Sequence, residues 1–391
     1  MSEDFRTELH ESVGALSAAA WDGLVAATPG TTPFQRHAWL CALEQSACVG
    51  SGTGWQPLTL ALRDTQGKLA AACALYVKTH SYGEYVFDWA WAQAYADHGL
   101  PYYPKLLLAV PFTPVSGAKL LGRDAAARQA LLREIVAIAR GSGVSSLHAL
   151  FLTEEEARWA ADDGLLQRTT IQFHWRNPPS EGLPSWTDFE DFLASLRHDK
   201  RKKIRQEQRQ VRDAGVTFRA LAGEEISAED WSFFTRCYDT TYTLHGSTPY
   251  LNLDFFQRIG EQMPRHCLLV LAERSGRPIA SSLILLDPQT RTAYGRYWGA
   301  TEPVPALHFD ACYYQPIVWC LAHGYSTFEG GAQGEHKMAR GLQPVATTSA
   351  HWLSHPRFAR AVDDYLQRET VSIAAHSDAL RERLPFRQDA M

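Results

Sequence analysis

Leu58-Thr59-Leu60-Ala61-Leu62-Arg63-Asp64-Thr65-Gln66-Gly67-Lys68-Leu69-Ala70-Ala71 and Cys267-Leu268-Leu269-Val270-Leu271-Ala272-Glu273-Arg274-Ser275-Gly276-Arg277-Pro278-Ile279-Ala280 are two versions of one pattern. With Gly67 placed on Gly276, Leu60 falls on Leu269, Leu62 on Leu271, Asp64 on Glu273 and Ala71 on Ala280. The same offset, carried on without a gap, sets Tyr85 on Tyr294 and Trp89 on Trp298. Apolar runs on either side of a glycine turn predict a hairpin, and the aromatic run beyond it, Tyr85–Trp91 in the first copy, predicts a third strand. In both halves a helix, a glycine and a strand follow: Asp124–Arg140, Gly143 and Ser146–Phe151, then Phe309–His323, Gly324 and Thr327–Glu329. The first copy carries an extra segment before its helix. The pattern predicts an internal duplication. Strand meanders that feed helices predict an α/β (mixed α+β) fold, with mixed sheets flanked by helices in each half.

Length and composition frame that reading. A chain of 391 residues, 45% hydrophobic and 21% charged, can bury two ordinary cores. Asn177–Ser185 holds three prolines and is the expected linker. It divides the chain into an N-terminal domain, residues 1–180, and a C-terminal domain, residues 186–391, that begins with a basic helix. Seven scattered cysteines without a C-x-x-C pair fit a reducing cytoplasm and argue against a zinc ribbon. The acidic N-terminus does not read as a secretory signal. No run of about 18 apolar residues predicts a membrane span. Net charge is −5, yet Arg197–Arg212 holds eight Lys/Arg against two acids. Nonspecific DNA binding is not expected from such a balance, but a local anionic partner is. Twelve tryptophans and fifteen tyrosines suit both cores and a cleft for a large amphipathic ligand. Nothing in the sequence specifies an oligomeric state.

The densest chemistry lies in Phe328-Glu329-Gly330-Gly331-Ala332-Gln333-Gly334-Glu335-His336-Lys337-Met338-Ala339-Arg340-Gly341. A short apolar run precedes it and the strand-like Thr347–Leu353 follows, so it reads as a glycine-rich loop between strands. If an amine attacks an acyl donor, Glu329, Glu335 or His336 could take the proton, with Glu335 and His336 favoured. Lys337, Arg340 and backbone N–H groups could face an oxyanion or a phosphate. His351, on the following strand, could point toward the same pocket. Trp298, His308, Asp310, Tyr313 and Tyr314 form an aromatic entry to the second-half helix. His308 and Cys312 share a helix face, but no third Cys or His ligand accompanies them, so no metal is expected. Tyr242 and His245 are candidates for the border of an acceptor site.

Several stretches together resemble the FemAB-like predicted N-acyltransferases described as peptidoglycan biosynthesis or recognition proteins. They are Tyr102-Tyr103-Pro104-Lys105, Pro111-Phe112-Thr113-Pro114-Val115-Ser116-Gly117, the basic run at 200–205, the loop Glu329–Lys337 with Arg340-Gly341, and His351-Trp352. The resemblance covers residues 30–370 or so. It implies two tandem domains of the GCN5-related N-acetyltransferase (GNAT) type. It also implies transfer of an acyl or aminoacyl group from an activated donor to an amine acceptor, a small molecule or peptide such as a cell-wall precursor. Tyr103 and Lys105 would then touch substrate, and Lys200, Arg201, Lys203 and Arg205 would meet a donor diphosphate or the backbone of a charged tRNA. No cofactor is firmly implied. The usual GNAT loop that cradles the coenzyme A pyrophosphate precedes neither helix, so aminoacyl-tRNA is the donor the pattern fits, with acyl-CoA as the other. The rival reading is a catalytically degenerate pair that binds a peptidoglycan precursor or peptide.

Overall fold

The computed structural model describes residues 4–332 and 334–387, so Gln333 of the glycine-rich loop lies outside the described residues. The strands in chain order are β1 (Arg6–His10), β2 (Trp55–Arg63), β3 (Leu69–Lys78), β4 (Lys105–Leu108), β5 (Leu121–Gly122), β6 (Ser146–Leu152), β7 (Leu166–Arg176), β8 (Val216–Ala222), β9 (Cys267–Arg274), β10 (Arg277–Asp287), β11 (Thr292–Ala300), β12 (Thr327–Ala332) and β13 (Gln343–Leu353). The helices are α1 (Ala18–Ala27), α2 (His37–Gln45), α3 (Trp89–Asp97), α4 (Ala125–Gly141), α5 (Glu154–Asp162), α6 (Phe189–Ser195), α7 (His198–Asp213), α8 (Ala228–Leu244), α9 (Leu253–Gln262), α10 (Leu307–Phe309), α11 (Gln315–Ala322) and α12 (Pro356–Arg381). The chain forms two compact units, Met1–Thr170 with Ala346–Ala375, and Ile171–Val345 with His376–Met391. Residues 346–375 thus pack with the N-terminal half, which a division at 180–186 does not provide for. The reason is β13, whose Ala350 and His351 pair with Ala149 and His148 of β6.

In the first unit the sheet runs β1-β2-β3-β4-β6-β13. Among the described residues only β4 and β6 are parallel to each other, over Leu106–Leu108 and Leu147–Ala149. The crossover between them carries α4, which starts where the Asp124 side chain accepts from the Ala127 N–H. Leu131, Leu132 and Ile135 on its inner face meet Leu60, Leu62 and Leu75 of the hairpin.

The β2–β3 hairpin is as the repeat predicts, with Gly67 at φ 79° and its counterpart Gly276 at 73°. The expected third strand is not there. Tyr85 takes a positive φ of 61°, and Trp89 opens α3. The strand in that place is β4. It is antiparallel to β3 and parallel to β6, as β11 is antiparallel to β10 and parallel to β12. The gapless alignment misleads because the first copy inserts residues 79–104 where the second turns through residues 288–291.

That insertion is tied down by charge. Lys78 ends β3, Lys105 begins β4, and the two are cross-strand neighbours. Both are fully buried. The insertion supplies their acids. The Lys105 ammonium donates to Ser81 Oγ at 2.8 Å, to Glu84 Oε2 at 2.8 Å and to Asp88 Oδ2 at 2.5 Å. Lys78 lies 3.8 Å from the other Glu84 oxygen and 3.7 Å from the Trp55 ring centroid. Burial pushes the Glu84 carboxyl up to about 7, against the pull of Lys105. Burial also brings Lys78 down to about 7. The network continues from Asp88 through Tyr102 O–H, 2.6 Å away, to His148 and then to His351, whose Nδ1 is 2.7 Å from His148 Nδ1.

The second unit orders its strands β7-β12-β11-β10-β9-β8. Here β11 and β12 are the parallel pair. Phe328, Ile317 and Tyr314 fill its core with Leu268 and Trp175. Helix α8 lies so close to β11 that a Cβ on Gly299 would sit 1.8 Å from the Cys237 carbonyl oxygen. Helix α7 buries Ile204, Glu207 and Val211 on one stripe. Glu207, an acid in a basic helix, accepts from Arg340 at 2.9 and 3.0 Å and from the Tyr314 hydroxyl.

Removing one member of a buried charge cluster leaves the others uncompensated, which costs about 3–5 kcal/mol. Lys105→Met is therefore expected to lower stability by about that amount in urea denaturation. A loss near zero would show that Glu84 and Asp88 do not depend on this cation. Arg340→Met should destabilise by a similar amount, about 3–5 kcal/mol, because Glu207 loses its partner. Restoration by the double variant Arg340→Met/Glu207→Gln would show that the pair, and not the arginine alone, is the cause.

Candidate functional site

The glycine-rich loop begins where β11 and β12 part. Their parallel ladder lasts from Thr292–Tyr294 against Thr327–Glu329 and goes no further. Beyond it each strand bulges. The pairing of β10 with β11 shifts between Leu283/Tyr297 and Ile284/Gly295, leaving Arg296 as the extra residue. The pairing of β12 with β7 shifts between Glu329/His174 and Ala332/Gln172, leaving an extra residue at Gly330-Gly331. Gly330 must lack a side chain, since a Cβ there would lie 2.6 Å from Leu342 Cδ2 and 3.4 Å from Lys337 Cδ. The lysine stem thus crosses the bare backbone of Gly330 and delivers its ammonium to the Gly331 carbonyl at 3.1 Å. Lys337 is 4% exposed. Burial, reinforced by the Arg296 charge, brings its pKa down to about 8.

A short 3₁₀ turn, Glu335–Arg340, carries the rest of the loop between Gly334 and Gly341, both at positive φ. It places the His336 ring over Gly334, where a Cβ would meet Cε1 at 2.5 Å. The ring enters an aromatic box. Its Nε2 is 3.5 Å from the Tyr313 hydroxyl, and its centroid is 5.9 Å from that of Phe309. His308 lies 5.3 Å from Trp298 and 5.7 Å from Tyr313, centroid to centroid. Partial burial, with Arg340 and Lys337 nearby, lowers the His336 pKa. His308 falls to about 4, chiefly by burial. Both imidazoles are therefore neutral at neutral pH. Between α10 and α11 the chain makes a π-helical turn, Asp310–Tyr314, a feature frequent at functional sites. Burial raises Asp310 in that turn to about 6, while Gln315 donates to it at 2.9 Å.

Of the residues expected at a site, Trp298, His308, Tyr313, His336 and Lys337 come together here. Glu329 sits at the last rung of the ladder, buried, 3.2 Å from Arg296 and 3.9 Å from His174. Glu335 points to solvent and pairs with His376 at 3.2 Å. Arg340 is not an open anion clamp. Its guanidinium is buried, with Nη2 on Glu207 and Nη1 on the His336 carbonyl at 2.7 Å, and stacked 3.5 Å from the Phe309 ring centroid. His351 belongs to the first unit, fully buried against His148, with burial holding its pKa well below the usual value. Lys105, expected to touch substrate, is likewise enclosed, its three hydrogen bonds made within the protein. Tyr103 is half-buried and bonds Ser81 at 2.8 Å. Tyr242 and His245 lie at the C-terminal end of α8, Tyr242 packed on Tyr238. On α7, Lys200 pairs with Asp199, Lys203 with Glu207 and Arg205 with Glu190, while Arg201 has no ion pair among the described residues.

Sequence reasoning missed Arg296, Phe309, His174 and Glu207. Only Glu207 had a signal, being the acid on the Ile204–Val211 stripe of a basic helix. The first unit differs at the corresponding place. Beyond the β4–β6 ladder, the Gly117 N–H donates to the Phe151 carbonyl. Lys119 Nζ donates to the carbonyls of Val115, Gly117 and Phe151 at 2.7–3.1 Å. Its own chain, Pro111–Gly117, closes that end.

Two solved structures share the fold over most of both chains. One is the C-terminal DUF2156 domain of an Agrobacterium fabrum protein named as a lysylphosphatidylglycerol synthetase, with a TM-score of 0.51, 11% identity, and coverage of 89% of this chain and 95% of that one. The other is L-PGS from Bacillus licheniformis, with a TM-score of 0.50, 12% identity, and coverage of 86% and 98%. A tandem GNAT protein from the clavulanic acid biosynthesis pathway aligns at a TM-score of 0.43, with 11% identity over 90% of this chain and 99% of that one. No curated protein sequence matches the chain. The fold shared with the first two is a mixed α/β one, with mixed sheets flanked by helices. A family model described as peptidoglycan biosynthesis/recognition matches residues 12–388, and the chain belongs to this FemAB-like family.

Proposed function

We propose that the second unit is an N-acyltransferase that moves an acyl or aminoacyl group from an activated donor to an amine, with a cell-wall precursor or peptide as acceptor. The observation that carries this reading is Lys337. Its ammonium is held at the Gly331 carbonyl, just past the last rung of the β11–β12 ladder, where each strand carries a bulge, and the neutral imidazole of His336 is its neighbour in the chain. A donor carbonyl placed there would develop negative charge on oxygen as the amine nitrogen attacks its carbon. Lys337 would stabilise that charge in a site poor in water. His336 would take the proton that the amine nitrogen loses as its bond to the carbonyl carbon forms, and would pass it to the alcohol oxygen or thiol sulfur of the donor as that bond breaks. Glu329 would hold Arg296, and so the bulge of β11, in place. The FemAB-like family and its description support the acceptor class. The cations of α7, half-buried Lys200 and Arg201 and exposed Lys203, would meet the phosphates of a charged tRNA or of acyl-CoA.

A screen of aminoacyl-tRNA and acyl-CoA donors against amine acceptors, read by mass spectrometry, tests the reaction. No transferred acyl group with any pair would favour the precursor-binding alternative. With a working pair, Lys337→Met should lower kcat by about 10²–10³-fold with little change in donor affinity. The pH profile has a definite shape. Lys337 is cationic below about 8, so the rate should fall as pH rises through that value. His336, with its pKa lowered, stays neutral and competent down to below its ordinary 6.5, so the acid limb should lie under that value. Lys337→Arg should keep activity and lose the alkaline limb. An alkaline limb that persists in Lys337→Arg would assign it to another group.

Replacing Lys200, Arg201 and Lys203 together with Gln should weaken donor binding and flatten its salt dependence, by about one unit of slope for each phosphate no longer neutralised. Donor titrations at several salt concentrations measure this. An unchanged slope would make α7 a solvated surface.

A further inference from the structure

The insertion at residues 79–104 is built with its polarity reversed. Soluble proteins bury apolar side chains and expose charged ones. Here Glu84 and Asp88 are buried with Lys78 and Lys105, while Tyr82, Phe87, Trp89 and Leu100 are 56, 52, 42 and 36% exposed. Of the nine large apolar side chains exposed among the described residues, these four fall within one short stretch. The Tyr82 and Trp89 rings touch, with centroids 5.0 Å apart. The inner face of α3 is spent on the core, where Trp91 and Tyr95 pack with Leu353, Val362 and Leu366. The charge cluster beneath anchors both ends of the insertion, so the rings are presented on a fixed support. The second copy has no such segment.

The surface chemistry narrows the occupant. No lysine or arginine occurs from 79 to 104. The exposed polar side chains Gln93 and Asp97 bond one another at 2.7 Å. A saccharide site would need free donors and acceptors beside the rings; Glu84 and Asp88 are enclosed, and the exposed Asp97 is bonded to Gln93. A protein interface favours arginine among its anchors and a polar rim. Exposed Trp and Tyr with Phe and Leu, and no cation, fit the headgroup boundary of a neutral lipid layer, where rings with one polar edge are at home.

We propose that the exposed side chains of this insertion, the Tyr82–Trp89 pair with Phe87 and Leu100, make a tip that inserts into the surface of an uncharged lipid bilayer and so holds the protein against a membrane. No helix among the described residues is long and apolar enough to cross one, and the tip reaches only its surface. The association is independent of whether the second unit transfers acyl groups. Flotation of the full chain with phosphatidylcholine vesicles tests it. Binding should be seen without anionic lipid and should persist in high salt. The double variant Phe87→Ser/Trp89→Ser should reduce it at least about tenfold while leaving the thermal unfolding curve unchanged. Glutamine variants of Lys200, Arg201 and Lys203 should bind as the parent does. Absence from the floated fraction overturns the proposal and leaves a protein or saccharide partner for the tip. Binding only to phosphatidylglycerol-containing vesicles, abolished by salt, also overturns it and assigns membrane association to cations elsewhere. Binding by the double variant equal to that of the parent overturns it as well.

Discussion

A parallel strand pair that stops after three residues leaves backbone N–H and C=O groups that must find other partners, because buried unpaired groups are costly. Both units contain such a pair, β4–β6 and β11–β12, and the difference between them follows from how each meets that demand. The first unit folds Pro111–Gly117 back into the gap and caps three carbonyls with Lys119. The second unit bulges each strand just past the ladder, keeps glycine at 330 and 331, and brings the Lys337 amine to the Gly331 carbonyl. The duplication thus yields one end closed by its own chain and one furnished with chemistry.

The furnished end needs irregular backbone to be held still, and buried charge pairs hold it. Arg340 and Glu207 lock the 3₁₀ turn to α7, and Arg296 and Glu329 lock the bulge of β11 to the last rung of the ladder. In the first unit Lys105 does the same for residues 79–104. Buried ion pairs are weak sources of net stability compared with apolar packing of the same volume. Their use at three irregular segments is better understood as fixing position: an apolar contact tolerates sliding, whereas a hydrogen-bonded charge pair does not.

The sequence made the fold legible through its hairpins. Strand length, glycine turns and alternating apolar residues are local, so β2–β3 and β9–β10 could be aligned and the duplication seen. The third strand of the first copy could not, because Tyr85 and Trp89 matched Tyr294 and Trp298 in type while lying in an insertion. A match of aromatic residues carries no information about which backbone they sit on. The exchange of β13 into the first unit was illegible for a related reason: pairing partners far apart in sequence leave no periodic trace. At the site, residues of one loop and one helix entry were found together because they are close in sequence. Arg296 was missed because a bulge is a register event between strands. Arg340 was misread because its exposure was assumed, and only the fold reveals that α7 carries a glutamate to meet it.

Lys337 and Arg340 show how far residue type alone can mislead. They stand three positions apart in one turn, both cationic and both buried. Arg340 is neutralised by a carboxylate that accepts two hydrogen bonds from it, which suits a planar guanidinium and leaves it little capacity for substrate. Lys337 has a point charge on a flexible stem and donates to the Gly331 carbonyl. Burial is the largest influence on it, and the Arg296 charge adds repulsion, so its proton is held loosely. A developing oxyanion beside such a lysine favours the charged form that desolvation penalises, so the buried ammonium and the transition-state charge stabilise each other.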